Sequence, residues 1–289
     1  MKRRATHLLQ LLPTWLVLGV FFLAPIGIMF GISFREKGPA GTLKPVDDVK
    51  AYVASGKFLN NYRESLDPSY GGVYWRSLWV AVVTTVVCLL IGYPVAYYIA
   101  IVANPARKNL LLAMVAIPFW TSFLIRMGAW KLILGTAGVL NTFLAIFHAG
   151  PLDLLYTPGA VLTGLVYGEL PFMILPLYAS LEKMDRTLLE AAADLGAGRA
   201  ARFWRVTVPQ TMPGIVAGVV LVFIPAAGQF VVSDILGGSK GALVGNIIQE
   251  GFQRNKPLKS AIAFELTAVV AALLAMYAVY LRRRKESPL

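Results

Sequence analysis

Three acidic side chains lie inside long apolar runs of this sequence, where a charged group is costly. They are Glu169, Asp234 and Glu265, and the runs around them carry few other charges. A carboxylate in such a setting meets either a basic side chain or a positively charged ligand. For Glu169, which lies two residues before Pro171, both interpretations stay open: contact with a cationic ligand in transit, or an internal ion pair with Arg126 or with a partner chain.

The other two acids lie nearer the ends of their runs. For Asp234 we favour a gate or a ligand contact over an N-cap or a salt bridge at the outer surface, and for Glu265 we favour solvation near an interface. Aromatic rings offer a second way to hold a cation, because ammonium groups bind ring faces. Four rings are candidates, each with helix packing or the interfacial aromatic belt as its alternative: Phe119, Trp120, Trp130 and Tyr167.

The sequence lacks the zinc-protease motif H-E-x-x-H and the phosphate-binding loop G-x-x-x-x-G-K-[ST]. His7 and His148 are its only histidines, and they are far apart in sequence. Cys88, the only cysteine, has no basic neighbour that would activate its thiol, so we interpret it as a packing residue. We therefore predict that the chain is not an enzyme and that it holds no metal or cofactor of its own.

The composition indicates a membrane protein. Hydrophobic residues make up 57% of the chain and charged residues 15%, whereas soluble domains contain about 25% charged residues. Six apolar runs are long enough to cross a bilayer, and a lone spanning segment must be helical to satisfy its backbone groups. We predict an all-α, polytopic membrane protein with six transmembrane helices, within residues 8–34, 77–106, 110–134, 160–181, 214–236 and 260–281.

The net charge of +12 does not indicate nucleic acid, because no soluble, arginine-rich segment with interleaved aromatic residues is present. Four basic groups beside the apolar runs share one side if the chain crosses six times, and by the positive-inside rule that side is the cytoplasm. These groups are Lys2, Arg3 and Arg4; Arg107 and Lys108; Lys183, Arg186, Arg199, Arg202 and Arg205; and Arg282, Arg283, Arg284 and Lys285. The predicted segments are a cytoplasmic N-terminus with the first helix (1–34), an external loop (35–76), a five-helix core (77–281) and a cytoplasmic tail (282–289).

Some order is expected within the external loop. Residues 46–55 favour a short helix, and turn-forming pairs occur at Asp67-Pro68 and at Gly71-Gly72. We therefore expect turns at both pairs before the second apolar run.

One segment facing the predicted cytoplasm, residues 182–213, has a composition of its own. Residues 188–195 favour a helix that Gly196 and Gly198 can end, and residues 199–206 favour a second helix with arginines at steps of three. Prolines then break the chain before the fifth run. From these residues alone, an amphipathic helix whose arginines meet anionic headgroups and a docking site for a cytoplasmic protein are equally open.

A motif in this segment resembles a known family. The pattern E-A-A-x-x-x-G, followed by a proline about a dozen residues later, resembles the EAA loop of ABC-importer permeases; here it comprises Glu190, Ala191, Ala192, Gly196 and Pro209. The resemblance implies a type I ABC-importer permease (MetI-like) fold. It also implies that Ala191, Ala192 and Gly196 contact a groove of an ATP-binding subunit, and that Glu190 fixes the helix geometry.

Four further stretches resemble the permeases of spermidine/putrescine importers, and the resemblance runs from about Asn61 to the end of the sixth apolar run. They are GYPVAYYIA (92–100), PFWTSFLIRMGAW (118–130), LVYGELPFMILPLYASLEKMD (165–185) and LVFIPAAGQFVVSDILGG (221–238). The resemblance implies a polyamine importer of a bacterial inner membrane. Its expected partners are a second, homologous permease, two cytoplasmic ATP-binding subunits that hold ATP and Mg, an external binding protein and the lipid bilayer.

Two alternatives remain at this point. The same scaffold serves importers of other small solutes, such as an opine, an aminophosphonate or ferric iron. A stand-alone, ion-coupled secondary transporter is the alternative from another class, and it would need no ATPase. An acid at position 169 departs from the usual pattern of the polyamine permeases, so Glu169 marks either a difference in specificity or an incidental ion pair.

Overall fold

The structure, a computed structural model, describes residues 16–238, 241–251 and 254–286. The basic residues near the start of the chain therefore lie outside the described residues. Regular structure in the described ranges is helical, apart from an isolated bridge between Lys37 and Leu43. The α-helices are α1 Ala24–Ser33, α2 Val49–Ala54, α3 Asn60–Ser65, α4 Pro68–Tyr97, α5 Pro105–Ala116, α6 Phe123–Leu134, α7 Val139–Ile146, α8 Pro158–Glu182, α9 Thr187–Asp194, α10 Arg199–Arg202, α11 Val208–Gln210, α12 Met212–Gly228, α13 Val244–Gly251 and α14 Lys256–Glu286.

Short helical turns of other pitch join several of these elements. Four are π-helical: Gly19–Leu23, Tyr98–Val102, Phe203–Thr207 and Ser233–Gly237. Three are 3-10 helical: Pro39–Gly41, Lys57–Leu59 and Ile117–Trp120. The π turn at Tyr98–Val102 follows Pro94, which lies inside α4 and cannot donate a backbone hydrogen bond to the preceding turn.

Three of the long helices begin in the same way, with a polar capping residue followed by proline. The cap accepts a hydrogen bond from a free backbone N–H of the first turn, and proline at the first helical position loses nothing because its N–H would be unpaired there. The pairs are Asp67-Pro68 at α4, Asn104-Pro105 at α5 and Thr157-Pro158 at α8.

Among the described residues, five helical segments are long and apolar enough to cross a membrane, and the number rises to six if a bent pair counts as one span. The five are Leu16–Ser33, Pro68–Val102, Phe123–Ile146, Pro158–Glu182 and Lys256–Met276. The bent pair is Arg199–Gln210 with Met212–Gly228, at an angle of 67°. The prediction of an all-helical, multi-pass membrane protein is confirmed, whereas the division into segments depends on membrane sidedness and stays a prediction.

The predicted continuous helix over residues 110–134 is wrong. Helix α5 ends at Ala116, a 3-10 turn follows, and Thr121 is extended before α6 begins at Phe123. Pro118 lies in that turn and has no N–H for an α-helical bond, which favours the break. The apolar span in this region is instead Phe123–Ile146, which includes α7.

The fifth predicted helix, over residues 214–236, is also interrupted. Helix α12 ends at Gly228, and Gln229 has an extended backbone. The Gln229 side-chain oxygen accepts hydrogen bonds from the backbone N–H groups of Phe230 (3.0 Å) and Val231 (3.1 Å). Those bonds satisfy the first donors of the next helical turn, so the chain restarts rather than continues.

The predicted short helix within residues 46–55 is present as α2, which Asp48 caps through the backbone N–H of Lys50 at 2.9 Å. The predicted turn at Gly71-Gly72 is wrong, because both glycines lie inside α4. Each glycine destabilises a helix by about 1 kcal/mol relative to alanine. That loss is small for a 30-residue helix whose first turn is capped.

The chain divides into two compact units. One combines the described residues up to Gly72 with those from Ile247 onward, and the other is Val73–Asn246. In the first unit α1 packs on α14, with the rings of Phe30 and Phe264 5.2 Å apart. Glu265 is half-buried there and accepts a hydrogen bond from Ser65, so the expectation that it is simply solvated is wrong.

The second unit is built on the close packing of α8 against α12. Glycines permit this approach, because a Cβ at Gly218 would lie 2.6 Å from the Met173 sulfur and one at Gly214 would lie 2.7 Å from the Pro176 carbonyl oxygen. Cys88 is fully buried in the same core, as predicted for a packing residue.

Candidate functional site

The segment between α8 and α12, residues 183–211, is called the α8–α12 connection here. Its first helix, α9, begins next to Asp185, whose carboxylate accepts hydrogen bonds from the Thr187 hydroxyl at 2.8 Å and from the Thr187 backbone N–H at 2.9 Å. These two bonds stabilise the charged form and so lower the pKa of Asp185. The predicted helix over residues 188–195 is confirmed as Thr187–Asp194.

Gly196 ends α9 in a left-handed conformation, with φ at +79°. The backbone N–H of Ala197 bonds to the Ala192 carbonyl and that of Gly196 to the Ala193 carbonyl, both at 2.9 Å. This is the Schellman pattern, in which glycine avoids the strain that a side chain would bring. Gly198, in contrast, has an ordinary φ of −66°.

The second half of the connection is a single run of helical turns that changes pitch. Helix α10 covers Arg199–Arg202, a π turn covers Phe203–Thr207, and α11 carries Pro209. The predicted helix–glycine–helix arrangement is therefore present. The α-helical part of the second helix is shorter than the predicted 199–206, because a π turn begins at Phe203.

The five residues of the EAA motif are mostly open to their surroundings. Ala192 is half-buried, and the exposed four are Glu190, Ala191, Gly196 and Pro209. Large apolar side chains are uncovered on the same connection: Leu195 is 88% exposed and Trp204 is 67% exposed. A helical hairpin with uncovered apolar side chains is a surface suited to a further protein or to lipid.

Aromatic packing anchors the connection to α4. The Phe203 ring lies 5.5 Å from that of Tyr93 and 6.3 Å from that of Tyr97, in edge-on contacts. The Tyr93 hydroxyl is hydrogen-bonded to Thr211 at 2.9 Å in a buried site. The sequence did not predict these contacts. It marked this part of α4 only through the resemblance of residues 92–100 to the polyamine permeases.

Two basic side chains bind one carbonyl group within the π turn that follows α4. Lys108 donates to the Ala100 oxygen at 2.7 Å, and Arg186 donates to the same oxygen at 3.1 Å. Cations suit this position because the last carbonyls of a helix carry partial negative charge. The connection is thus attached by a ring cluster to α4 and by the Arg186 hydrogen bond to the π turn that follows α4.

Glu169 lies in the middle of α8 and is only 6% exposed. Its Oε2 atom has no hydrogen-bond partner among the described residues. The Arg126 guanidinium instead lies over the Phe123 ring, 5.6 Å from its centroid. The predicted alternative of an ion pair between Glu169 and Arg126 is therefore wrong, and the carboxylate stays without a counter-charge within the described part of the chain.

Asp234 is exposed, on the π turn Ser233–Gly237. Its position is fixed by neighbours: Ser233 donates to the Gly241 carbonyl, and the backbone N–H of Tyr156 donates to the Leu236 carbonyl at 2.9 Å. Asp234 is not an N-cap, and its side chain forms no ion pair with the described residues. Neither structural alternative predicted for Asp234 is present.

The candidate aromatic residues fall into separate groups. Trp120 is 92% exposed, Phe119 packs against Phe172 at 4.8 Å, and Tyr167 packs against Trp130 at 5.5 Å. The described residues therefore bring the EAA motif together in one connection, whereas the candidate pathway residues are spread over several elements.

Comparison with known proteins identifies a family whose model matches most of the chain. Residues 92–284 match the model of the binding-protein-dependent transport system inner membrane component. The chain is 43% identical over 268 residues to the spermidine/putrescine transport system permease protein PotB of Haemophilus influenzae, covering 91% of this chain and 89% of that protein. PotB of Escherichia coli K12 is likewise 43% identical, over 91% of this chain and 92% of its own length.

A more distant relative is the inner membrane ABC transporter permease protein YdcU of Escherichia coli K12, 31% identical over 82% of this chain and 79% of that protein. Among solved structures, a bacterial ABC transporter for import of the acidic polysaccharide alginate superposes with a TM-score of 0.69 at 20% identity, covering 98% of this chain and 96% of that chain. The same type of transporter in complex with a pentasaccharide-bound periplasmic protein gives a TM-score of 0.68 at 17% identity, covering 100% of this chain and 98% of that one. These two structures bear on the fold alone.

Proposed function

The chain belongs to the family of binding-protein-dependent transport system inner membrane components, and from this premise we propose that it carries polyamines as a permease subunit of an ATP-binding cassette importer. The substrate class rests on one observation, the similarity to spermidine/putrescine permeases along nearly the whole chain. The chain is a multi-pass inner membrane protein. We propose that its N- and C-termini are cytoplasmic, as the basic residues of the α8–α12 connection favour.

The importer we propose contains this chain, a second homologous permease, two cytoplasmic ATP-binding subunits and an external binding protein. ATP and Mg are held by the ATP-binding subunits, since this chain has no phosphate-binding loop. A periplasmic protein accompanies one structural neighbour, which supports an external partner of the same kind.

The α8–α12 connection is the proposed contact with the ATP-binding subunit. Its exposed residues Glu190, Ala191 and Gly196, the half-buried Ala192 and the apolar Leu195 would enter a groove of that subunit. Small side chains on α9 permit a close approach of the two backbones. The exposure of these residues and the shape of the helical hairpin support the assignment.

Movement of the connection has a route into the membrane helices. Phe203 lies against Tyr93 and Tyr97, and the buried Tyr93–Thr211 hydrogen bond joins α4 to the start of α12. Pro209 lies just before that junction and stiffens it. We propose that closure of the ATP-binding subunits pulls on α9 and that these contacts pass the displacement to α4 and α12.

The proposed substrate contacts fall into two groups by exposure. Asp234 and Trp120 are exposed and can meet an ammonium group without rearrangement, and the half-buried Phe119 and Tyr167 add ring faces. Glu169 is buried, so a substrate reaches it only when helices around α8 move apart. An ammonium group would then supply the counter-charge that this carboxylate lacks.

The test is ATPase stimulation in the complete importer. The chain is co-expressed with its neighbouring permease, ATPase and binding protein, purified through a tag on this chain, and assayed with loaded binding protein across a panel of small solutes. We expect stimulation by spermidine or putrescine, lost in Glu190→Ala and Gly196→Asp and retained in the control Gly198→Ala.

Each other outcome removes a defined part of the proposal. Stimulation only by an opine, an aminophosphonate or ferric iron would keep the importer and remove the polyamine. Solute uptake by the chain alone, with no co-purifying ATPase, would point to a secondary transporter and overturn the role of the connection.

A further inference from the structure

The arginines of the α8–α12 connection do not share one environment. Arg199 and Arg202 line a cavity of about 250 Å³, whereas Arg205 is exposed and lies outside it. The cavity wall is completed by one helix of the connection and by the end of α4. The full lining is Tyr97, Leu189, Arg199, Arg202, Phe203 and Thr207.

The two cavity arginines have no counter-charge of their own. Within the described residues, neither side chain forms a hydrogen bond or an ion pair, and the Nε atom of Arg202 is buried without a partner. The three acids of the connection lie elsewhere: Asp185 is bound to Thr187, and neither Glu190 nor Asp194 lines the cavity. The cavity therefore combines two positive charges with a buried donor that is not satisfied.

This chemistry selects an anion rather than the transported solute. A polyamine carries only positive charges and would be repelled by two guanidinium groups. Guanidinium groups bind the oxygens of phosphate in paired, charge-assisted hydrogen bonds, which are shorter and stronger than hydrogen bonds between neutral groups. A volume of about 250 Å³ corresponds to roughly eight water molecules, which is enough for one phosphate group with its hydration.

We propose that this cavity binds one phosphate group, of an anionic phospholipid or of free phosphate, and that Arg199 and Arg202 hold it. Trp204, 67% exposed and next to the cavity residue Phe203, supports the phospholipid as the source, since tryptophan favours the interface where headgroups lie. The bound phosphate would fix α10 against α4, at the point where Phe203 contacts Tyr97. The site differs from the proposed substrate pathway and from the exposed EAA residues of α9.

The experiment uses the full-length chain in detergent, without ATP or polyamine, so its result does not depend on the proposed transport function. Short-chain phosphatidylglycerol is titrated in one arm and inorganic phosphate in the other, and native mass spectrometry counts the bound molecules. In the lipid arm we expect one saturable site. Arg202→Gln and Arg199→Gln should each weaken it about tenfold, equivalent to about 1.4 kcal/mol.

Arg205→Gln is the matched control, because it removes the same charge from the same connection but outside the cavity. The affinity of this variant for the lipid should stay within about twofold of that of the parent. Arg202→Lys keeps the charge but loses the paired geometry, so it should fall between the parent and Arg202→Gln. A thermal midpoint equal to that of the parent shows that a variant is folded. If Arg202→Gln does not fold, the loss of affinity in Arg202→Lys relative to the parent tests the site instead.

Two results separate the sources of phosphate. Saturation by the lipid with little effect of inorganic phosphate assigns the site to a headgroup, and equal affinity for both assigns it to a free anion. Equal affinities of Arg202→Gln and Arg205→Gln would overturn the proposal, because the anion would then respond to net charge alone.

Discussion

Replacing Gly214 with alanine is expected to destabilise the contact between α8 and α12. The new Cβ would lie 2.5 Å from the Ser180 Cβ and 2.7 Å from the Pro176 carbonyl oxygen. Ordinary contacts of a Cβ begin at 3.4 Å, so the helices must separate by nearly 1 Å or bend. Neither obstacle can rotate away, because one is a backbone oxygen and the other is a Cβ, whose position the backbone fixes.

The size of the effect follows from two opposed terms. Adding a methyl group to a well-packed contact costs about 1–3 kcal/mol. Exchanging glycine for alanine in a helix returns at most about 1 kcal/mol. We therefore expect a net loss of about 1–2 kcal/mol, which at about 2–4 °C per kcal/mol lowers the thermal midpoint by several degrees.

The assay compares apparent thermal midpoints of the purified full-length chain at one scan rate, because unfolding of a membrane protein is seldom reversible. Gly27→Ala in α1 is the control, since nothing lies within 4 Å of its added Cβ, and its midpoint should stay or rise. Ser180→Gly removes one obstacle and should rescue part of the loss at Gly214, with a coupling of about 0.5–1 kcal/mol. A Gly214→Ala midpoint no lower than that of Gly27→Ala, together with zero coupling to Ser180, would refute the packing argument.

Three further changes test other parts of the structure. Gly196→Ala should weaken the turn after α9 by about 1 kcal/mol because its φ is +79°, seen as faster amide exchange in α9, while Gly198→Ala, at a φ of −66°, should match the parent. Glu169→Met should raise the thermal midpoint of the purified chain, because it removes a buried carboxylate without a partner, and it should abolish polyamine uptake by the complete importer; a midpoint below that of the parent would contradict the absence of a counter-charge. Asn141→Ala should cost about 2 kcal/mol, because the side chain bonds Gly135 and Leu152 through three hydrogen bonds of 2.9–3.0 Å; unchanged amide exchange at Leu152 would contradict this.

The spans were predictable where one apolar run coincides with one helix, as in α8 and α14. Apolar content reports burial in lipid but not the continuity of the backbone. Pro94 stays inside α4, whereas Pro118 lies at a break, although both occur in uncharged, apolar stretches. Composition does not distinguish the two prolines, because neighbouring helices, side chains or a local change of helical pitch can each satisfy the freed carbonyl.

The candidate site divides in the same way. Residues that act through local conformation, such as Gly196 after α9, follow from sequence because the turn needs a left-handed residue there. The contacts of Phe203 with Tyr93 and Tyr97 join residues far apart in the chain, and no local pattern marks them. The isolation of Glu169 was not predictable either, since it requires the position of Arg126 in three dimensions.

The shared acceptor at Ala100 gives two of the basic residues different roles at different times. In the orientation proposed above, Lys108 and Arg186 would be free, hydrated charges during insertion and would retain their loops on the cytoplasmic face of the bilayer. After folding, both are bound to the same carbonyl oxygen, at 2.7 and 3.1 Å. In that orientation, two charges that direct insertion would also bind the finished protein together internally. Neutralising either one should therefore impair biogenesis and, separately, the rigidity of molecules that insert correctly.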